Sequence, residues 1–165
     1  MFRFRFLDKS ALQETLPALF RILYDNMNAI APTGGSYEED EALWSAYITD
    51  AMQEDSHRIV LFYVDEEFAG YFQYSVDEEP GAFLMEEIEI KPEFQGTGIF
   101  SALYRWLMPQ LPAELQTVHA YANKQNKKSQ SILEHLGLSC VSENKSGSSL
   151  YYQGAFAPLR AKYSL

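Results

Sequence analysis

At 165 residues, 47% hydrophobic and 15% aromatic, the chain has the length of one domain and enough apolar side chains for a single core, so residues 1–165 are expected to form one domain. A formal net charge of −10 and a pI near 4.7 argue against a nucleic-acid partner, which needs clustered Lys and Arg. The lone Cys140 and the lack of Cys/His groups at metal spacing exclude a disulfide framework and a metal site. No apolar run nears the ~20 residues of a membrane span, and the N-terminus lacks a signal-peptide core, so a cytoplasmic protein with no membrane partner is expected.

Phe2 to Leu7 alternates aromatic residues with Arg3 and Arg5 and predicts a first strand. Leu12, Leu16, Leu19, Phe20, Leu23, Met27 and Ile30 then form one helical stripe, capped by Asp8 or Ser10 and ended before Pro32. Residues 31–36 (APTGGS) read as a loop, either a connector or part of an acceptor pocket. A second helix follows, with Trp44, Tyr47, Ile48, Ala51 and Met52 inward and the acidic residues 38–41 in its first turn, where they suit the helix dipole.

Arg58 to Val64 and Phe68 to Val76 are rich in β-branched and aromatic residues and predict a hairpin; Ala82 to Lys91 extends it to a three-stranded meander. Ile88 and Ile90 lead through Pro92 into Gln95-Gly96-Thr97-Gly98. Phe100, Leu103, Tyr104, Leu107, Met108 and Leu111 then recur at helical spacing. A glycine turn before a helix leaves backbone N–H groups uncovered beside a positive dipole end, which is how proteins hold phosphates. Downstream, Thr117 to Tyr121 predicts a strand. Asn126 caps a helix with Ser129, Ile132, Leu133 and Leu136 inward and Gly137 at its end, and 138–142 with 149–152 close a last hairpin.

Two motifs carry a family resemblance. Strand, Pro92, two residues, then Gln95 and Gly98 resembles the acyl-CoA pyrophosphate loop of the GNAT acetyltransferase superfamily, with Phe100 in place of its final small residue. Asn126-x-x-Ser129 followed by residues 132–138 (ILEHLGL) is similar to that family's Asn-x-x-Ala and Tyr-Glu-Lys-Leu-Gly-Phe. The resemblance implies an α+β, GNAT-like fold, with a mixed central sheet of about seven strands flanked by about four helices. It also implies an N-acetyltransferase that moves acetyl from acetyl-CoA to a primary amine by direct attack.

Such a reaction must expose an amine lone pair, at about 4–5 kcal/mol for an amine of pKa about 10.4 at neutral pH. It must also stabilise charge on the thioester oxygen, where a positioned N–H is worth roughly 3 kcal/mol. The resemblance assigns that N–H to the strand Ile88 to Ile90, which in the family pairs with pantetheine. For the base, Glu87 is the first candidate and Glu86 the second; Glu87 and Glu89 share one strand face. His57, His119 and His135 have no neighbours in sequence that mark them as bases. Many family members carry a Tyr acid where this chain has Leu133, so the acid is open among Tyr121, Tyr151 and Tyr152, with Tyr121 taken as the candidate.

For acetyl-CoA, the resemblance implies backbone N–H donors from Gln95, Gly96, Thr97, Gly98, Ile99 and Phe100, contacts from Asn126 and Ser129, and phosphate pairing by Lys127 and Lys128. The acidic balance points to a cationic amine acceptor. Tyr151, Tyr152, Phe156 and Tyr163 are a possible homodimer contact. The rival function is a non-catalytic acyl-CoA sensor or regulatory module with the same fold, in keeping with Leu133 and Phe100.

Overall fold

These patterns resolve, in a computed structural model that describes residues 1–164, into seven strands and five α-helices among the described residues. In chain order they are β1 (Phe2–Phe6), α1 (Leu12–Asn28), α2 (Tyr37–Ala51), β2 (His57–Val64), β3 (Glu67–Val76), β4 (Ala82–Ile90), α3 (Ile99–Leu107), β5 (Thr117–Asn123), α4 (Lys127–His135), β6 (Ser139–Glu143), β7 (Ser149–Ala155) and α5 (Phe156–Tyr163). Hydrogen-bonded neighbours run β1-β2-β3-β4-β5-β7-β6. The sheet is mixed: β1–β2, β5–β7 and β6–β7 are antiparallel, whereas β4 and β5 are parallel. The parallel register joins Ala82–Met85 to Thr117–Ala120, and β4 continues for five residues beyond it.

The described residues divide into two compact units. The first is Met1–Gln73 with Glu87–Thr97, and the second is Tyr74–Glu86 with the residues from Gly98 onward. In the first, α1 buries Leu12, Leu16 and Leu19 with Ile48 and Met52 from the end of α2, and with Ile59, Leu61 and Tyr71 from β2 and β3. Each such aliphatic side chain contributes about 1.5–3 kcal/mol by leaving water. Ser36 caps α2 by accepting from the Glu39 amide (3.1 Å), and Glu38, Glu39 and Asp40 sit in its first turn as the dipole favours. Trp44 packs on Phe20, with ring centroids 5.5 Å apart. Tyr47, expected inward, is 64% exposed.

The second unit is built on Phe83, Leu103, Leu107, Val118, Tyr152, Phe156 and Leu159, all essentially inaccessible. Here the sequence expectation needs correcting. Tyr152, Phe156 and Tyr163 do not form an outward contact surface: they are 1%, 0% and 7% exposed within their own chain. Phe156 meets Phe83 edge-on at 5.7 Å, and Tyr163 lies 5.1 Å from Tyr104. The physical reason is α5 itself, whose Phe156, Leu159 and Tyr163 recur three and four residues apart and so share one face.

Candidate active site

Residues 94–100 form the predicted turn. Gly96 and Gly98 have φ of +75° and +86°, a left-handed conformation that side chains with a Cβ disfavour. Gly98 is the N-cap of α3, and the helix's first backbone bond runs from the Ala102 amide to the Gly98 carbonyl at 3.2 Å. The amides of Ile99, Phe100 and Ser101 precede that bond and have no partner within the helix. A Cβ placed on Gly96 or Gly98 would meet no atom within 4 Å, so both glycines face open space. The turn is braced from behind, where the Thr97 hydroxyl donates to the Phe94 carbonyl (2.7 Å). Ile99 is buried and Phe100 half-buried.

Gln95 departs from the expectation that it offers a backbone donor. Its N–H is given to the Pro92 carbonyl at 3.2 Å, and its side-chain amide donates to the Ile90 carbonyl at 3.1 Å. The Gln95 N–H is therefore already used within the turn. A pyrophosphate fits such a cradle, with amides at a helix N-terminus and nothing where a Cβ would stand.

The C-terminal end of β4 gathers the polar groups of the first unit. The Lys91 amide bonds the Ala69 carbonyl of β3 (2.8 Å). The Ile90 carbonyl, on the same peptide plane, therefore points away from β3. There it accepts from Gln95 and also from Asn26 Nδ2 of α1 (3.1 Å). Asn26 Nδ2 also donates to Glu89 Oε1 (2.9 Å). Glu89 is only 7% exposed, and burial raises its carboxyl pKa even though hydrogen bonds with Glu87 and Asn26 oppose the rise. Glu87, two residues earlier, lies on the same face of β4 as Glu89.

Tyr71 of β3 is fully buried, and its hydroxyl has no hydrogen-bond partner among the described residues. Burial first, then the nearby Glu87 and Glu89, push its pKa well above the phenol range. The backbone is drawn in at the same place: a Cβ on Gly70 would lie 2.1 Å from the Glu89 carbonyl oxygen. Only glycine at 70 allows this approach.

The structure thus puts Glu87 on the strand face of Glu89, which is bonded to Asn26, with both carboxyls acting electrostatically on Tyr71. Glu86, half-buried, belongs to the second unit, as does Tyr121. Tyr121 is 57% exposed and lies 4.9 Å from the Tyr151 ring. His119 is enclosed: Thr117 Oγ1 sits 2.8 Å from its Nε2, and the Tyr151 hydroxyl bonds its Nδ1. Burial lowers the His119 pKa, with Glu79 acting against it, and the same burial raises that of Tyr151. Asn126 caps α4 by accepting from the Ser129 amide (3.1 Å). Leu133 is a core residue, 8% exposed. Among the described residues no three His, Cys, Asp or Glu are grouped to hold a metal ion, and no helix is long and apolar enough to cross a membrane.

Sequence reasoning missed Asn26, Tyr71 and Gly70. Asn26 stands seven residues after Leu19, on the buried stripe of α1, and an isolated Gly70 within a strand pattern marks a close backbone approach. Both signals were readable. Tyr71 had none, since an aromatic residue in a strand is ordinarily core.

Comparison with known proteins gives the family and the fold. A family model described as the acetyltransferase (GNAT) family matches residues 16–138. No curated protein matches the chain by sequence. Among solved structures, the chain is similar to an acetyltransferase from Thermus thermophilus (TM-score 0.70, 16% identity, 94% of this chain and 97% of that one). It is also similar to the PaiA N-acetyltransferase of Thermoplasma acidophilum in complex with coenzyme A (TM-score 0.67, 12% identity, 94% and 99% covered). A third is a spermidine N-acetyltransferase chimera of Vibrio cholerae SpeG and hSSAT (TM-score 0.62, 17% identity, 98% and 97% covered).

Proposed function

Since the chain belongs to the GNAT acetyltransferase family and is an acyltransferase, we propose that residues 1–165 act as one catalytic domain that moves acetyl from acetyl-CoA to a primary amine, by direct attack of the amine on the thioester. The observation that carries this reading is the turn at Gly96 and Gly98, which presents amides at the start of α3 with open space before them. Gly96, Thr97, Gly98, Ile99 and Phe100 would hold the pyrophosphate by their backbone N–H groups, and Ile88 and Ile90 would pair with pantetheine. The Ile90 carbonyl points away from β3 and is engaged by Gln95 and Asn26, so the pairing role falls to the other backbone groups of this segment. Gln95 serves the cofactor indirectly, by tying the loop to the end of β4. Asn126 and Ser129 contribute from the start of α4, and Lys127 and Lys128 offer phosphate-pairing charge. When bound, acetyl-CoA supplies the activated acyl group and the thiolate leaving group.

Glu87 takes the proton of the acceptor ammonium, with Glu86 as the alternative base. A backbone amide of the Ile88–Ile90 segment stabilises the developing oxyanion. Tyr121, an exposed ring on β5, is the candidate acid for the thiolate. A net charge of −10 supports a cationic acceptor. The acidic surround and the absence of a membrane-length helix among the described residues are compatible with a cytoplasmic setting.

A thiol-release assay over a panel of amines tests the reading. The expected result is turnover with at least one amine, a loss of about 100-fold or more in kcat for Glu87→Gln, and loss of acetyl-CoA binding in Gly98→Glu, which puts a carboxylate where the phosphates would lie. Leu133, buried where many relatives carry tyrosine, favours a second reading, an acyl-CoA sensor without catalysis. That protein would gain about 2.7 kcal/mol from acetyl-CoA at 100 times its Kd, and release no thiol with any amine.

A further inference from the structure

At the end of β4 three observations meet that a solvated surface glutamate would not show. Glu89 is nearly inaccessible, accepts a hydrogen bond from Asn26 on α1, and shares its face of β4 with Glu87. Tyr71, on the neighbouring strand β3, keeps a fully buried hydroxyl without a partner among the described residues, close enough to both carboxyls to be perturbed by them. The Glu89 backbone is pressed against Gly70, which fixes the height of the strand here. Together these make a supported pair of acids rather than two independent side chains.

We propose that Glu87 and Glu89 act as one base, retaining the proton of the acceptor ammonium between their two carboxyl groups, with Asn26 holding Glu89 as the inner, positioning member. The proposal rests on the acetyltransferase reading. A lone glutamate near its ordinary value of about 4.3 is a poor match for an amine near 10.4. Two carboxyls sharing a buried place resist their second ionisation, through desolvation and like charge, and so take a proton back readily. The Asn26 amide donates to Glu89 in either protonation state, and the Tyr71 hydroxyl is a donor left for the pair when both carboxyls are ionised.

The step balances as follows. The doubly ionised pair receives one proton from R–NH3⁺ through the Glu87 carboxylate, and its charge falls from −2 to −1 as the proton settles in the Glu87–Glu89 hydrogen bond. The freed lone pair forms the N–C bond at the thioester carbonyl, the C–S bond breaks, and the second amine proton goes to the departing thiolate. Amide and thiol result, and the pair returns its proton to water. Facing the pair are Asn26 from α1 and Tyr71 from β3. Tyr71 stays neutral over the working range, so the pair's own two steps set the pH response.

Two measurements on the full chain test this. Titration of ¹³C-labelled glutamates without ligand is expected to show one carboxyl titrating above the ordinary glutamate value of about 4.3, and that upper step should disappear in both Glu87→Gln and Glu89→Gln. In turnover, the acid limb of kcat/KM for the wild type should follow the upper step. Glu89→Gln keeps the shape and the Asn26 bond, and should shift that limb to lower pH while kcat falls about 10-fold. Tyr71→Phe, which removes only the hydroxyl, should move the limb to higher pH. Carboxyls that titrate independently near their ordinary value, or an acid limb unmoved in a folded Glu89→Gln, overturn the paired base and leave the transferase reading standing. No turnover by the wild type with any amine instead overturns the transferase reading, and the base with it.

Discussion

Glu89 brings a carboxyl to a place that disfavours its charge, and this has a consequence for stability separate from catalysis. Its pKa is raised on folding by burial, so between the unfolded value of about 4.3 and the folded one the native state binds more protons. Stability therefore falls as pH rises through that window and stays lower above it. Glu89→Gln is expected to flatten this slope and to match or exceed the wild type at pH 8, as urea midpoints taken every pH unit would show. His119 has the opposite sign. Its pKa is lowered on folding, with burial as the main cause, so stability is lost as pH falls from the unfolded value of about 6.5 down through the folded one. Gly98→Ala is a different kind of change, because its Cβ meets nothing. The cost is the left-handed backbone alone, about 1–2 kcal/mol, and thermal unfolding should show it as a drop of about 2–8 °C.

Among the secondary elements, strand and helix positions were legible wherever a period was clean. The meander Arg58 to Lys91 appears as β2 to β4 within a residue or so at most ends, since alternation and turn residues agree there. The Asn126 cap and the Gly137 stop of α4 also match. The helix α5 was missed because residues 154–158 (GAFAP) look like a loop, whereas Pro158 sits in the first turn, where its missing N–H is harmless. At the site, Glu87 and the glycine turn could be read locally. Asn26 could be read as an inward residue of α1 but not as a partner of Glu89, which it reaches across 63 residues of sequence and only because α1 packs beside that strand. Gly70 ties the two strands physically. In Gly70→Ala the new methyl would clash with the Glu89 carbonyl at 2.1 Å, so β4 must move away. A loss of about 1–3 kcal/mol is expected, and acetyl-CoA protection of the fold against heat should weaken beyond that stability loss. A variant with wild-type protection would mean that the placement of β4 has nothing to do with the cofactor.

The charge of the whole chain bears on the acceptor in a way that no single contact does. With −10 at neutral pH, the long-range field attracts cations and repels anions, and salt shortens its reach from about 30 Å at 0.01 M to about 8 Å at 0.15 M. The two substrates of the proposed reaction carry opposite charge. Raising ionic strength over that range should therefore lower kcat/KM for a polycationic amine, by up to about 10-fold, while leaving unchanged or raising the same constant for acetyl-CoA. A singly charged amine of similar size separates this field effect from local chemistry, because it feels the same base and the same pocket with less steering. Equal salt responses for both amines would show that the acidity of the chain does not select its acceptor, and the cationic class would then have to rest on the Glu87–Glu89 pair alone.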